Sequence, residues 1–596
     1  MSGNPRGVPR FWHELKRRKV IQVIPVYAAS AFMVLELVDM ITEPFGLPDW
    51  TFKLVLILLS VGFVIAVILS WIYDIHPEEG IVKTKPEDSV REGKITTSSN
   101  GWKIASYLSF VVIAGLIIWN ILPRSKSPAV EEVLDKSVAV LPFHNDSPDL
   151  ENEYFINGTM ESILNDLCKV NDLRVISRTS VEQFRDKAVE IPEVSKMLNV
   201  SYVLEGSMQK YGNRIRITTQ LIDRNDNHVW AEQYDREINA VEDLIDIQSE
   251  IAQLVAEQLN VVITPVEKQR IEATPTQDMD AYEYYLLGNQ VLFAGVSEDD
   301  YLKAIDYFEE SIKLDSSFTQ AYIGLGKCYG SFAFLGSIRP AVVYPRILSL
   351  GEKVIRLDPM SGDGYELVAI VDYYYQYDFE NAEQHILKAL ALEPNKPDFY
   401  KTYAEICSYQ GRFKKAMEMD RKAVSMDPIY PFTDALYSFH LFYGGERDSA
   451  ISQLETISIR YKQVKPWIGF LYLQEGNYED AIHQMGKFED VTTPFNLLQY
   501  GLASSRNGHP EIAQKALDIL EIRAENEYIS YTLRGALCAE LGKDKKALDY
   551  LRKGYEEREE YILLLMHFDT IAYSQLRSNP GFQEVMRKVR QGSGEG

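Results

Sequence analysis

Three long hydrophobic segments stand out in the first part of the sequence. They are VIQVIPVYAASAFMVLELVDMI at 20–41, FKLVLILLSVGFVIAVILSWIY at 52–73 and IASYLSFVVIAGLIIWNIL at 104–122. About 20 consecutive apolar residues are enough for a helix to span the hydrocarbon core of a bilayer. The pattern therefore predicts three transmembrane helices, the first two forming a membrane hairpin over 20–73.

The basic residues around these segments predict an orientation. Lys and Arg crowd the arm at 1–19 and recur in the loop at 74–103, whereas the loop EPFGLPDW at 43–50 contains neither. Loops rich in Lys and Arg stay on the cytoplasmic side of a membrane. We therefore expect the arm and the 74–103 loop in the cytoplasm, and everything after the third helix on the opposite side.

Strand and helix patterns alternate over 136–264, after a linker at 123–135. KSVAVLPFHN begins as a short apolar strand, and in RIRITTQLID the apolar side chains of Ile215, Ile217 and Leu221 fall on alternate positions. Gly212-Asn213, just before that strand, favours a tight hairpin turn. An amphipathic stripe that includes Leu244 and Ile251 predicts a closing helix. The mixture predicts a compact α/β domain.

Three blocks of this region carry a family resemblance. SVAVLPFHNDSPDLENEYFINGTMESILNDL, LRVISRTSVEQF and YVLEGSMQKYGNRIRITTQLID resemble the TolB-like amino-terminal domain, also called the FlgO-like domain. The resemblance implies a bacterial, envelope-associated α/β domain that often follows a membrane segment and precedes helical repeats. Combined with the predicted orientation, it implies an inner-membrane protein whose C-terminal domains lie in the periplasm.

A repeating pattern replaces the strand signals after a second linker at 265–279. A Gly is followed five residues later by an Ala in five copies: Gly411/Ala416, Gly445/Ala450, Gly476/Ala481, Gly508/Ala513 and Gly542/Ala547. Successive glycines are 34, 31, 32 and 34 residues apart. This spacing resembles tetratricopeptide repeats, in which two antiparallel helices meet at a Gly turn. We predict about eight units in an all-α solenoid with a C-terminal cap over 280–590.

A solenoid of stacked helix pairs usually binds a peptide or protein on its concave surface, which the first helix of each pair lines. The candidate binding residues are therefore tyrosines predicted on first helices, Tyr322, Tyr400 and Tyr472. The run DYYYQYDF adds Tyr374 and Tyr375. Packing between helices is the alternative explanation for these rings, because aromatic side chains of repeats often belong to the core.

Composition narrows the range of partners. The 596-residue chain has a formal net charge of -24 and a pI near 5.0, which argues against nucleic acid and favours a basic or aromatic partner segment. The 4 cysteines are widely separated, so they predict buried thiols and no zinc site or disulfide framework. No phosphate-binding loop, metal motif or nucleophile motif is present. We therefore expect neither a cofactor nor a metal, and no enzymatic activity.

These observations predict a multidomain chain with three transmembrane helices, a mixed α/β TolB-like domain and an all-α repeat solenoid. The expected function is that of a membrane-anchored scaffold or sensor whose solenoid binds a protein or peptide. The alternative is the sensing half of a signal-transduction or transcription-regulating assembly that acts through a separate cytoplasmic effector.

Overall fold

The protein is described by a computed structural model with two compact units, Met1–Ala129 and Val130–Gly596. The described residues are 20–42, parts of 55–66, 73–76, 80–83, 134–147, 152–185, 187–295, 297–336, 338–567 and 571–591.

Within its described residues, the first unit includes a long helix and a short hairpin. Helix α1 is Val20–Thr42, and strands β1 (Tyr73–His76) and β2 (Gly80–Lys83) pair antiparallel. The hydroxyl of Tyr27 on α1 donates a hydrogen bond to the carbonyl of Leu59 at 2.8 Å.

The predicted membrane spans are contradicted. In the part of the chain that the structure describes, no helix is both long enough and apolar enough to cross a bilayer. The first predicted span coincides with α1, the second is described only in part, and the third, at 104–122, lies outside the described residues. The prediction relied on the length of apolar runs, which does not by itself distinguish a spanning helix from other apolar segments. The predictions of a three-span fold and of an inner-membrane location were therefore wrong.

The second unit begins with a mixed sheet. Its six strands are β3 (Ser137–Val140), β4 (His144–Asn145), β5 (Arg174–Val175), β6 (Tyr202–Tyr211), β7 (Arg214–Asp223) and β8 (His228–Glu237). The order is β5-β3-β6-β7-β8, with β4 also pairing with β6. Strand β3 runs parallel to β5 and β6, whereas β6, β7 and β8 form an antiparallel meander.

The sequence pattern explains the meander. Strand β7 buries Ile215, Ile217 and Leu221 and exposes the intervening Arg214 and Arg216, as its alternation predicted. Tyr211 pairs with Arg214 across the predicted two-residue turn, where Gly212 has a φ of 58°, a conformation that glycine adopts without strain. The two arginines both pair with Asp235 on β8, which satisfies their charges within the sheet.

Four helices pack against the sheet, and a fifth leads into the repeats. They are α2 (Glu153–Cys168), α3 (Arg178–Val181), α4 (Ile191–Leu198), α5 (Val241–Gln258) and α6 (Pro265–Ile271). A 3₁₀ turn, Glu182–Phe184, follows α3. The region predicted as a linker therefore contains α6, whose N-terminus is capped by reciprocal hydrogen bonds between Thr264 and Glu267.

Eight antiparallel helix pairs follow within the described residues. Their helices are α7 (Met279–Ala294), α8 (Glu298–Leu314), α9 (Thr319–Leu335), α10 (Pro340–Leu357), α11 (Gly362–Val371), α12 (Phe379–Leu392), α13 (Pro397–Tyr409), α14 (Phe413–Met426), α15 (Pro431–Tyr443), α16 (Arg447–Arg460), α17 (Lys465–Glu475), α18 (Tyr478–Met485), α19 (Pro494–Arg506), α20 (Pro510–Arg523), α21 (Tyr531–Glu540) and α22 (Asp544–Glu556). Helices α23 (Tyr561–His567) and α24 (Pro580–Arg590) are the last two helices in the described part of the chain. Short turns of other helix types are Asp372–Gln376, a π-helix, and three 3₁₀ turns, Lys462–Val464, Phe488–Asp490 and Ser574–Leu576.

The five glycines of the sequence repeat lie at the turns within the pairs. All five have positive φ, between 69° at Gly542 and 99° at Gly445. The five alanines that follow them are completely buried, which permits the two helices of each pair to approach closely. The array is therefore a tetratricopeptide-type solenoid. The odd-numbered, first helices contact one another from pair to pair, which places them on the inner side of the array.

The α/β domain and the solenoid share contacts and a continuous core. Buried side chains extend from the sheet into the first repeats, where they include Tyr282, Phe308 and Phe318. A second contact is centred on Asp427, which lies between α14 and α15 and is 1% exposed. Its carboxylate accepts hydrogen bonds from four hydroxyls: Ser177, Thr179 and Ser180 of the α/β domain and Thr433 of the solenoid. We refer to this set as the Asp427 junction.

Candidate functional site

Six charged side chains form a row on the inner side of the solenoid. The charged row consists of Lys327 on α9, Asp363 and Glu366 on α11, Lys396 immediately before α13, and Asp398 and Lys401 on α13. The Nζ atom of Lys327 lies 3.3 Å from Oδ1 of Asp363, and Lys396 pairs with the same carboxylate. Lys401 lies 2.6 Å from Asp398. Three neighbouring helix pairs thus contribute positively and negatively charged side chains to one surface.

The acids of the row differ in their electrostatic surroundings. Burial acts to raise the pKa of Asp363, but Lys396 and Lys327 outweigh it and hold this pKa well below its usual value. Burial raises the pKa of Glu366, and the neighbouring Asp398 raises it further. Lys401 lowers the pKa of Asp398. The row therefore combines firmly ionised carboxylates with one, Glu366, that retains its proton more readily.

The charged row is accessible to solvent only in part, because Asp363 and Glu366 are buried. The side chains of Lys327 and Asp398 are 41% and 54% exposed, respectively, although each has an ion-pair partner. Three aromatic rings link three of the first helices nearby. Phe334 on α9 lies 5.4 Å from Phe432 on α15, which lies 6.1 Å from Trp467 on α17. Phe334 is 55% exposed, so charged and aromatic groups are both available for contact.

The chain covers another part of the inner side itself. The ring of Tyr561 stacks on Phe495 with centroids 5.6 Å apart, and the backbone N–H of Ile571 donates to Oε1 of Gln474 at 2.9 Å. Tyr344 donates to Glu560 at 2.8 Å. The space that remains near α17, α19 and α21 is about 30 Å³, little more than one water molecule. The C-terminal segment, residues 559–567 and 571–591, therefore covers this part of the inner side, whereas Lys327 and Asp398 of the charged row stay exposed.

The predicted tyrosines of the first helices have intramolecular partners. Tyr322, Tyr400 and Tyr472 lie on α9, α13 and α17 and are partly buried. Lys353 and Lys422 lie over the rings of Tyr322 and Tyr400, and Tyr472 donates to Glu455 at 2.7 Å. These partners belong to α10, α14 and α16, the second helices of the array. The three rings thus face the second helices and are not part of the charged row.

The other two predicted tyrosines pack between helices. The hydroxyl of Tyr374 donates to Glu405 at 3.0 Å, and its ring centroid is 4.0 Å from that of Tyr373. The ring of Tyr375 stacks on Tyr344 at 5.4 Å. Both tyrosines are partly buried, in agreement with the packing alternative.

Sequence reasoning missed the charged row because its members are separated by up to 74 positions and resemble ordinary exposed helix residues. The signal that could have found them is an opposite-charge pairing between equivalent positions of successive first helices. The cysteines were predicted correctly: all four are free and buried, and burial raises the pKa of Cys168 and Cys328 to about 12. Within the described ranges, no group of three or more His, Cys, Asp or Glu side chains is arranged to hold a metal ion.

A family model matches part of the chain. Residues 134–254 match the model of the HilA/YgeH-like transcriptional regulator, second domain. The matched region contains the whole described sheet and most of α5.

A curated relative overturns one expectation. This chain is 37% identical over 185 residues to a protein of Rhizobium meliloti (strain 1021) named putative adenylate cyclase 3. The match covers 29% of this chain and 31% of that protein, so the chain spans about a third of the relative's length. The expectation that the chain is not an enzyme is contradicted by this similarity.

Solved structures similar to the chain include tetratricopeptide proteins. A thermophilic one from Thermus thermophilus is 17% identical and covers 30% of this chain and 91% of its own, with a TM-score of 0.26. Pseudomonas aeruginosa pilF is 18% identical, covers 36% and 94% and has a TM-score of 0.27. YrrB, described as a tetratricopeptide protein with an unusual peptide-binding site, is 17% identical, covers 35% and 97% and has a TM-score of 0.23.

Proposed function

We propose that this protein is a regulatory scaffold whose repeat array binds an extended segment of a partner protein along the charged row. The exposed side chains of Lys327 and Asp398 in the row, together with the exposed Phe334 ring, carry this proposal. Asp398 supplies an exposed carboxylate, and Phe334 supplies an exposed ring. The net charge of -24 favours a basic partner, because opposite charge accelerates encounter and disfavours wrong partners. The partner segment is therefore rich in Lys or Arg and contains an aromatic side chain.

The regulatory part of the proposal rests on the α/β domain. The match to a transcriptional-regulator domain supports a role in signalling, and the shared core couples that domain to the solenoid. This agrees with the alternative in which the chain is one half of a signalling assembly and acts through a separate effector. The resemblance to TolB-like domains supports the same part of the proposal, because it covers the same strands.

The test uses the purified full chain and a random-peptide display library. We expect enriched peptides to be basic and aromatic, and their affinity to fall as salt rises. Asp398→Lys and Phe334→Ala should each weaken binding of an enriched peptide about tenfold, measured by fluorescence anisotropy. Asp448→Lys, on the second helix α16, is the charge-matched control and should leave the affinity unchanged.

Other outcomes contradict the proposal. Enrichment of acidic peptides, or equal affinity in Asp398→Lys and the parent protein, would exclude the charged row as the binding surface. The tyrosines predicted from the sequence are tested in the same assay. A loss of affinity in Tyr322→Ala, Tyr400→Ala or Tyr472→Ala, without a loss in Asp398→Lys, would move the surface to the other side of the first helices.

The curated relative motivates a second candidate, that the chain takes part in cyclic nucleotide signalling. In the direct form of this candidate, the protein converts ATP to cyclic AMP and pyrophosphate. Incubation of the full chain with ATP and Mg²⁺ or Mn²⁺, followed by quantification of cyclic AMP, tests it. Cyclic AMP at the level of a heat-denatured control would leave only the indirect form, in which a cyclase is the bound partner.

A further inference from the structure

A cavity of about 180 Å³ lies between the α/β domain and the first helix of the solenoid. The β6–β7 turn at Gly212 forms one side, the beginning of α2 forms a second, and α7 forms the third. The cavity therefore borders both domains, in a region distinct from the charged row.

The floor of the cavity is apolar. Phe155, Ile215, Tyr282 and Leu286 line it, and each is no more than 6% exposed. Cavities of about 150 Å³ with similar walls hold a benzene ring. The apolar floor and the volume thus fit a small organic molecule with an aromatic or branched body.

One cation enters this apolar space. The Nζ atom of Lys210 lies 5.1 Å from the ring centroid of Phe155, and its hydrogen-bond partner is Oδ1 of Asn152 at 3.4 Å. Among the residues that the structure describes, no carboxylate lies within ion-pair distance of Lys210. An ammonium group beside an apolar wall gains strongly from an anionic partner, because the local dielectric is lower than that of water.

The acid at the rim of the cavity already has a partner. Oε1 of Glu283 accepts a hydrogen bond from the Tyr154 hydroxyl at 2.6 Å. Glu283 is exposed, so water screens its charge from the interior of the cavity. Lys210 is therefore the charged group of the cavity that would gain most from binding an anion.

We propose that this cavity binds a small monocarboxylate with an aromatic or branched apolar body. The carboxylate accepts hydrogen bonds from Lys210, and the apolar body lies on Phe155, Tyr282 and Leu286. Because the ligand contacts α2 and α7 together, its binding stabilises the contact between the α/β domain and the solenoid. The site is independent of the peptide-binding role proposed for the charged row.

The test is calorimetric titration of the full chain with 3-phenylpropionate and with 3-phenylpropan-1-ol. The acid should bind at least about tenfold more tightly, because only the acid forms a charge-assisted hydrogen bond with Lys210. Equal affinities for the two compounds would overturn the proposal, as would absence of binding of the acid at millimolar concentration.

Three variants make the test specific. Lys210→Gln should lose about tenfold in affinity for 3-phenylpropionate, whereas Lys210→Arg should retain most of it. Lys268→Gln, on the exposed surface of α6, is the matched control and should bind normally. Met279→Trp should fill the cavity mouth and abolish binding while leaving Lys210 intact. Unchanged affinity in both Lys210→Gln and Met279→Trp would place the ligand elsewhere.

Discussion

Two carboxyl groups of the solenoid accept hydrogen bonds from tyrosine hydroxyls. Glu405 accepts hydrogen bonds from Tyr373 at 2.7 Å and Tyr374 at 3.0 Å, and Glu560 accepts one from Tyr344. Burial raises the pKa of both acids, and Glu560, which also faces the charge of Glu405, has a pKa of about 7. The C-terminal segment therefore brings an acid with a near-neutral pKa against the inner side of the array.

This acid should make stability depend on pH. Its pKa is raised from 4.5 to about 7 in the folded state, so the folded protein binds the proton more tightly than the unfolded chain does. The resulting stabilisation is complete below pH 4.5 and is lost as the pH rises through 7. We expect Glu560→Gln, which carries no charge, to raise the melting temperature at pH 8 and to leave it nearly unchanged at pH 5.

A control separates titration from general damage. Glu584→Gln, on exposed helix α24, should leave the difference in melting temperature between pH 5 and pH 8 as in the parent protein. If Glu560→Gln were equally destabilising at both pH values, the carboxyl group would be ionised throughout this range and the assignment would be wrong.

The turns within the helix pairs show how the repeat pattern acts at the level of the element. Gly508 links α19 to α20 with a φ of 95°, a backbone conformation that side chains with a Cβ rarely adopt. A Cβ placed there would meet no atom within 4 Å, so any cost of substitution comes from the backbone alone. The sequence period thus records a conformational requirement of each turn.

Gly508→Ala should therefore lower the free energy of unfolding by about 1–2 kcal/mol. Gly330→Ala is the control, because Gly330 lies within helix α9 and a Cβ there also meets no atom within 4 Å. Alanine favours a helix interior by about 1 kcal/mol over glycine, so this variant should be stabilised. Urea denaturation measures both changes. A destabilisation of Gly330→Ala as large as that of Gly508→Ala would show that the turn conformation is not the cause.

The turn between α11 and α12 breaks the period, and the reason could not be predicted from the sequence. Tyr377 occupies the place of the glycine between α11 and α12, with a φ of 59°. Its side chain is buried, and its hydroxyl donates to the carbonyl of Glu559 at 3.1 Å, 182 positions away. The contact with the C-terminal segment compensates for backbone strain. Local patterns predict turns, whereas such distant compensation depends on the folded array.

At the scale of the whole molecule, the sequence predicted the parts better than their assembly. The alternation of Ile215 and Ile217 and the five glycine turns are local patterns, and the structure confirms them. The row from Lys327 to Lys401 and the Asp427 junction join residues from separate elements, and no local period encodes them. The prediction of membrane spans failed for the opposite reason. The hydrophobicity of the apolar runs is a local property, and it was used to infer the environment around a helix.

The Asp427 junction makes a prediction about cooperativity. Its carboxylate is buried and accepts hydrogen bonds from three hydroxyls of the α/β domain, so it connects that domain to the middle of the solenoid. Asp427→Ala would leave those hydroxyls, of which that of Ser180 is buried, without their acceptor and should cost about 3 kcal/mol. We expect the full chain to lose cooperativity in calorimetric unfolding, with the α/β domain melting before the repeats. Asp448→Ala, on the exposed start of α16, should preserve the parent profile. A uniform shift of the whole Asp427→Ala profile, without broadening or separation, would show that the shared core alone couples the two domains.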